Sequence, residues 1–243
     1  MSAVKWTYHT ILTADSRATG FTELDTHKLY SYVPHYIAKP GAKISDLAED
    51  TIDLLNEIPR ENTSIILKIA AGINNLNAKV KRSRAYEIAP TPVEPEDILE
   101  ELNALKSKII EARPDAIVSY ITIAPVNYLQ QLKYWQDKHR LPYPIYSETD
   151  RLKYQKEHED KIIEINKRIK DHNQEEQYPI KCQTSSWHSN VLRLQKGKYR
   201  LVVRALYDGI HATTEVKKKW HRNFHQSVQR EIQQLQALKI RDQ

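Results

Sequence analysis

The sequence has few of the residues that mark secreted or membrane proteins. Among its 243 residues there is one cysteine, Cys182, so no internal disulfide bond can form. The first ten residues, MSAVKWTYHT, lack the apolar core of a signal peptide. No apolar run approaches the roughly 20 residues that a transmembrane helix needs. These absences exclude a disulfide-stabilised scaffold, and we expect a soluble, cytoplasmic (intracellular) protein with no membrane span.

Glycine is also scarce, with five residues in the whole chain. The sequence contains no Gly-rich phosphate loop and no dinucleotide fingerprint. The Gly-x-Ser-x-Gly elbow of α/β-hydrolases is absent as well. Cys182 has no neighbouring motif of a nucleophile, and we interpret it as a buried thiol. We therefore expect no cofactor.

Two histidines raise the question of a metal site. His221 and His225 are four residues apart, so they lie on one face of the predicted C-terminal helix. A metalloprotease motif would also have Glu next to the first of them, and here that residue is absent. Because no third ligand is apparent in the sequence, we predict no metal site.

The charge balance is weakly basic. There are 37 Lys and Arg residues against 31 Asp and Glu residues, which gives a net charge of +6. The densest basic clusters lie at residues 79–84 and 217–219. Because cations and anions are interspersed elsewhere, we interpret both clusters as solvated faces. Nucleic-acid binding stays open as an alternative.

Apolar runs alternate with amphipathic stretches along the chain, which is typical of an α/β fold with a largely parallel sheet. We predict strands at residues 8–14, 32–38, 64–71 and 116–124, and a fifth near 181–187 or 200–206. Pro34 either weakens the second strand or places it at an edge. Apolar stripes predict helices around residues 44–58, 98–109, 162–169 and 216–232. We expect a single domain over residues 1–243, with an elaboration at about 125–178 that forms a lid, a substrate wall or an interface.

Polar residues follow the predicted strands, where ligands of open parallel sheets bind. Asp15 and Ser16 follow the first strand, Gly41 the second, and Asn74 the third. Asp208 and His211 come shortly before the last helix. Each motif has an ordinary explanation of its own, such as a helix N-cap for Asp15-Ser16 or a surface turn for Asp208. Together they predict one rim that carries a hydroxyl, two amide donors and an Asp/His pair.

These residues are the ones that acyl transfer needs. Ser16 is a weak nucleophile unless a base removes its proton, and His211 can be that base. Asp208, three residues before His211, is close enough to hold the other imidazole nitrogen. The developing oxyanion needs preorganised donors, for which we predict the backbone N–H groups of Ser16 and Gly41 and the side-chain NH₂ of Asn74.

In the four motifs that contain these residues, the chain resembles the SGNH (GDSL-type) hydrolase superfamily, which is named for its Ser, Gly, Asn and His. The resemblance rests on "ADS", "KPGAKIS", "GINN" and "DGIH", and runs from about residue 8 to residue 232. It implies a flavodoxin-like, three-layer α/β/α fold with a five-stranded parallel sheet in the order 2-1-3-4-5. It also implies a serine esterase that acts on a small-molecule or acyl-ester substrate. Within the superfamily, "TADSRATGF" and "AAGIN" are most similar to esterase domains of retrotransposons and other mobile elements.

Two positions depart from the superfamily pattern. Ala14 stands where Gly usually precedes Asp-Ser, and its methyl group could shift the turn that presents Ser16. Asn75 stands where Asp often follows the Asn, at a position that we expect to support the loop. Neither change removes a catalytic group, but both admit an alternative: an inactive SGNH-fold binding or scaffold module, associated with nucleic acid.

Overall fold

The computed structural model describes residues 6–25, 30–82, 85–139, 146–175, 179–196, 198–202 and 204–241. Its strands are β1 (Thr7–Asp15), β2 (Val33–Lys39), β3 (Thr63–Ala70), β4 (Asn77–Arg82), β5 (Ala85–Pro90), β6 (Ala116–Tyr120), β7 (Leu192–Gln195) and β8 (Lys198–Leu201). Its helices are α1 (Phe21–Asp25), α2 (Ala48–Glu57), α3 (Pro95–Ala112), α4 (Tyr128–His139), α5 (Glu148–Glu175) and α6 (Thr214–Arg241). Short 3₁₀ turns lie at Ser16–Ala18, Ser45–Leu47 and His188–Asn190.

The central sheet confirms the predicted α/β fold with parallel strands. Four parallel strands pair in the order β2-β1-β3-β6, so β1 is an inner strand and β2 an edge strand. Pro34 lies in β2, where its missing N–H need not bond to a further strand. The carboxyl ends of β2, β1 and β3 therefore lie side by side at one rim of the sheet.

Helices cover both faces of this sheet, which gives three layers. In β1, Ile11 packs on one side with residues of α2, α3 and α5, while Leu12 packs on the other with residues of α6. The predicted apolar stripes all lie in these two cores, and Trp220 and Phe224 of α6 are fully buried. In the described part of the chain, no helix is both long and apolar enough to span a bilayer.

The predicted fifth strand is not confirmed. Among the described residues the parallel sheet has four strands, and residues 181–186 form no regular strand. Residues 198–201 form β8 instead, which pairs antiparallel with β7 in a separate hairpin. The segment 181–186 does run beside the sheet, since Thr122 N donates to Ser185 O at 3.2 Å. Buried side chains, and not a strand ladder, hold it: Gln183 N donates to Glu231 Oε1 at 2.5 Å.

Strand β6 is also shorter than predicted, because side chains bind the backbone where a longer strand was expected. It ends at Tyr120, and side chains of α5 bind the backbone beyond that point. Asn173 binds both the N–H and the carbonyl of Tyr120, at 3.0 and 2.7 Å, and Asn166 binds those of Ile123 at 2.7 and 2.8 Å. Buried backbone groups need such partners. The amides of α5 therefore take the place of ladder hydrogen bonds that a longer strand would make.

The predicted elaboration at residues 125–178 contains α4 and α5, and its residues 140–145 and 176–178 lie outside the described residues. Of the basic cluster 79–84, residues 79–82 belong to β4 and residues 83–84 lie outside the described residues. Cys182 is buried and forms no disulfide bond, as predicted.

Candidate active site

Ser16 opens the 3₁₀ turn that follows β1. The residue that caps this turn is Asp15, whose Oδ1 accepts the N–H of Arg17 at 2.9 Å. Burial raises the pKa of Asp15, while the nearby charge of Arg17 opposes that rise. Because Asp15 does the capping, the Ser16 hydroxyl is left to contact His211.

The Ser16 hydroxyl meets His211, which in turn meets Asp208. Ser16 Oγ lies 3.1 Å from His211 Nε2, and His211 Nδ1 lies 2.7 Å from Asp208 Oδ2. Because Nδ1 faces a carboxylate, the tautomer with its proton on Nδ1 is favoured, and the Nε2 lone pair faces the hydroxyl. The His211 side chain is 27% exposed, so a ligand from solvent can reach it.

Asp208 is held in its charged form. Burial raises its pKa, but hydrogen bonds from the His211 ring, from His211 N and from Ile210 N outweigh burial, so the pKa lies below its usual value. The two backbone bonds to Asp208 Oδ1 measure 2.7 and 2.9 Å. One carboxylate thus fixes both the loop conformation and the imidazole orientation.

The loop that carries Asp208 and His211 rests on the start of α4. Gly209 has φ +83°, and its carbonyl accepts the N–H of Asn127 at 2.7 Å. A Cβ atom at Gly209 would lie 2.4 Å from Asn127 O and 2.5 Å from Gln131 N. Only glycine allows this close approach in this conformation. The region predicted as an elaboration therefore supports the histidine loop directly.

Gly41 and Asn74 lie at the carboxyl ends of β2 and β3, on either side of the end of β1. Gly41 has φ +76°, in the left-handed region that favours glycine. Asn74 Nδ2 donates to Ala42 O at 2.9 Å, which joins the two loops. An amide nitrogen carries a second hydrogen, which this bond does not use.

The two departures from the superfamily pattern have a structural account. Ala14 is fully buried, and its register partners on β2 and β3 are Ala38 and Ala70. These small neighbours accommodate its methyl group, and the Ser16–His211 contact is kept. Asn75 supports a loop, since its Oδ1 accepts Ile44 N at 3.1 Å and its Nδ2 donates to Glu101 Oε2 at 2.6 Å.

Sequence reasoning missed Arg17, which anchors the turn that carries Ser16. Its buried guanidinium donates to the carbonyls of Ala124 and Pro125, just beyond β6. Burial lowers the pKa of Arg17, and the carboxylates of Asp15 and Asp208 oppose that shift. Nothing local in the sequence signals this role, because both carbonyls are more than 100 residues away along the chain.

An aromatic surface adjoins the imidazole. The Tyr207 ring stacks on the His211 ring, with centroids 5.8 Å apart and an interplanar angle of 20°. Tyr134 of α4 makes an edge contact with Tyr207 at 6.2 Å. Tyr207 is 52% exposed, so it offers one apolar face to a ligand beside His211. This pair was missed because residues 134 and 207 are distant in the sequence.

No family model matches the chain, and no curated protein matches it. Solved structures do. A carbohydrate esterase family 3 structure from Talaromyces cellulolyticus aligns with TM-score 0.57 at 12% identity, over 93% of this chain and 98% of that one. A GDSL-like lipase from Bacteroides thetaiotaomicron aligns with TM-score 0.56 at 13% identity, over 91% and 88%. A lipase/acylhydrolase from Enterococcus faecalis aligns with TM-score 0.51 at 12% identity, over 89% and 92%.

These likenesses confirm that the chain has the fold of GDSL/SGNH hydrolases, as the sequence resemblance implied. The narrower resemblance to mobile-element domains stays a prediction.

Proposed function

We propose that the protein is a serine esterase or acyl hydrolase with Ser16 as its nucleophile. The observation that carries the proposal is the unbroken series of contacts from Ser16 Oγ to His211 Nε2 at 3.1 Å, and from His211 Nδ1 to Asp208 at 2.7 Å. A nucleophile, a base and an orienting carboxylate in hydrogen-bond reach are the requirements of acyl transfer. The esterases and lipases named above support this reading through their shared fold.

The proposed reaction has two halves. Ser16 Oγ attacks the ester carbonyl while His211 Nε2 takes its proton, and the same proton then goes to the departing alcohol oxygen. This leaves an acyl group on Ser16. A water molecule, deprotonated by His211, attacks the acyl carbonyl, and Ser16 leaves with the proton restored. Asp208 stays ionised and stabilises the imidazolium that forms in each half.

Three donors are proposed to stabilise the tetrahedral oxyanion: the N–H groups of Ser16 and Gly41, and the second hydrogen of Asn74 Nδ2. Their elements support this assignment, since all three follow adjacent strands at one rim. Each such donor typically contributes about 10²–10³ in rate.

The substrate class follows from the surroundings of His211. The imidazole is partly exposed, and one side of it is bordered by the Tyr207 ring. We therefore propose a small-molecule ester with an apolar or aromatic group that packs on Tyr207.

The test is turnover of a short aryl ester by the wild-type protein and by Ser16→Ala. We expect the substitution to lower kcat by about 10³-fold or more. Ser45→Ala is the matched control, since Ser45 is an exposed serine that also opens a 3₁₀ turn after a strand. It should leave kcat unchanged. Equal turnover by wild type and Ser16→Ala would reject Ser16 as the nucleophile, and absence of turnover in both would favour the inactive binding module.

A further inference from the structure

A cluster of metal-ligating side chains lies away from the Ser16 rim, between α1, β2 and α6. His221 and His225 face each other one turn apart on α6, with their Nε2 atoms 3.0 Å apart. Asp25, the last residue of α1, adds a carboxylate: its Oδ1 lies 2.7 Å from His221 Nε2 and 3.4 Å from His225 Nε2. The sequence showed no third ligand, but the fold supplies one from almost 200 residues away.

The spacing of these three atoms is close to that of a tetrahedral metal site. Zinc binds His nitrogen and Asp oxygen at about 2.0–2.2 Å, which places tetrahedral donors roughly 3.3 Å apart. The three observed separations are 2.7, 3.0 and 3.4 Å, so the two shorter pairs would move apart by roughly 0.3–0.6 Å around an ion. Two imidazoles and one carboxylate are also a donor set that zinc accepts in proteins, with the fourth position open.

Neighbouring hydroxyl groups orient the three ligands. Tyr32 OH lies 2.6 Å from His225 Nδ1, so it can accept the Nδ1 proton and leave the Nε2 lone pair facing Asp25. Tyr36 OH donates to Asp25 Oδ2 and also lies 2.8 Å from His225 Nε2 and 3.3 Å from His221 Nε2, so it stands beside all three ligands. Contacts of this kind fix the tautomer and direction of metal ligands. Tyr30 adds a stacked ring over His225, with centroids 4.3 Å apart.

A cavity borders the two histidines of the cluster. It has a volume of about 490 Å³ and is lined by His221 and His225 together with Tyr30, Lys218 and Arg222. Neither Ser16 nor His211 lines it. A divalent ion with one carboxylate keeps a net positive charge, and two cationic side chains lie near the opening. The fourth ligand is therefore expected to be water or a small anion that enters from this cavity.

We propose that Asp25, His221 and His225 bind a divalent transition-metal ion of the zinc class, with a fourth position open to the cavity. The ion ties α1 and α6 together. Because α1 begins five residues after Ser16, the site also braces the segment that follows the nucleophile turn. The rival account is a hydrogen-bonded network with no ion, in which His221 donates to Asp25.

The test uses the full-length protein without an affinity tag, stripped with chelator and then titrated with Zn²⁺ and with Co²⁺. We expect one equivalent to bind, and the cobalt form to show the intense visible absorption of four-coordinate Co²⁺. At a zinc concentration about 100-fold above Kd, Tm should rise by about 5–10 °C.

Three variants make the test specific. His225→Gln and the near-isosteric Asp25→Asn should each weaken zinc binding by about 100-fold or more, since even neighbours of ligands contribute 10–100-fold. His35→Gln is the matched control. It alters the His9–His35 pair, whose ring nitrogens also lie 3.0 Å apart but on another part of the sheet. It should bind zinc as the wild type does.

Circular dichroism establishes that each variant is folded. If His225→Gln does not fold, Asp25→Asn together with the cobalt spectrum of the wild type decides the question. Absence of stoichiometric zinc and cobalt binding by the wild type would overturn the proposal, and so would binding that survives both substitutions or is lost in His35→Gln. Ester hydrolysis is not used as a readout, so the outcome is independent of the proposed function.

Discussion

Replacing Gly209 with alanine should lower both stability and activity. The added Cβ would lie 2.4 Å from Asn127 O and 2.5 Å from Gln131 N, and the backbone has φ +83°. The left-handed conformation costs a non-glycine residue about 1–2 kcal/mol, and forced overpacking typically costs about 1–3 kcal/mol. The free energy of unfolding should therefore fall by about 2–5 kcal/mol. A domain in the middle of the typical range of about 5–15 kcal/mol stays folded after that loss.

The effect on activity follows from how the clash is relieved. An ordinary contact begins near 3.4 Å, so the loop has to move by about 1 Å away from α4. His211 is two residues further along the same loop and moves with it. A misplacement of about 1 Å in a catalytic group can cost about 10²-fold in rate. We expect kcat/KM for a short aryl ester to fall by about that factor.

Gly20→Ala separates the cost of the left-handed backbone conformation from the cost of the steric clash. Gly20 has a similar φ of +87°, but the nearest atom to an added Cβ is Glu23 Oε2 at 3.5 Å, an ordinary contact. It should therefore cost only the conformational part, about 1–2 kcal/mol, with little change in kcat/KM. Urea unfolding and ester hydrolysis measure both quantities. Equal losses of activity in Gly20→Ala and Gly209→Ala would refute the reasoning.

Three further predictions concern single side chains. Asp208→Asn should lower kcat by about 10⁴-fold, because the wrong tautomer of His211 then faces Ser16; kcat near that of the wild type would contradict this. Asn74→Ala should lower kcat by about 10²–10³-fold with little change in KM, whereas a change in KM alone would assign Asn74 to substrate binding. Burial, with Arg17 and Lys161 nearby, lowers the pKa of His158 to about 3. In the unfolded chain the pKa of this histidine is about 6.5. As the pH falls below about 6.5, the unfolded chain takes up a proton that the folded chain cannot, so the free energy of unfolding should fall by up to about 1.4 kcal/mol per pH unit. Urea unfolding at pH 7 and pH 5 should show a smaller loss in His158→Gln, and an equal loss would contradict this.

The main elements were predictable because local patterns determine them. The nearly continuous apolar run of β3 is typical of a strand buried on both faces, and the structure shows β3 buried on both faces. The stripe of α6 places Trp220 and Phe224 in the core, as expected. The end of β6 was not predictable, since it depends on where Asn166 and Asn173 of another element meet its backbone. The hairpins β4–β5 and β7–β8 were also missed.

The site was predictable to the extent that its residues follow strands in order. Ser16, Asp208 and His211 were singled out because each lies at a recognisable turn, and the fold brings the three side chains into contact. The contacts of Arg17 and Asp25 were missed because their partners are far away in the chain. Such contacts leave no periodicity or spacing in the sequence.

The most direct measurement of the central claim is covalent labelling with a fluorophosphonate probe, followed by mass spectrometry of the intact protein and its peptides. The account predicts one adduct per chain, located on Ser16, absent in Ser16→Ala and formed much more slowly in His211→Gln. Wild-type protein that stays unlabelled, or that is labelled as fast in Ser16→Ala, would contradict it.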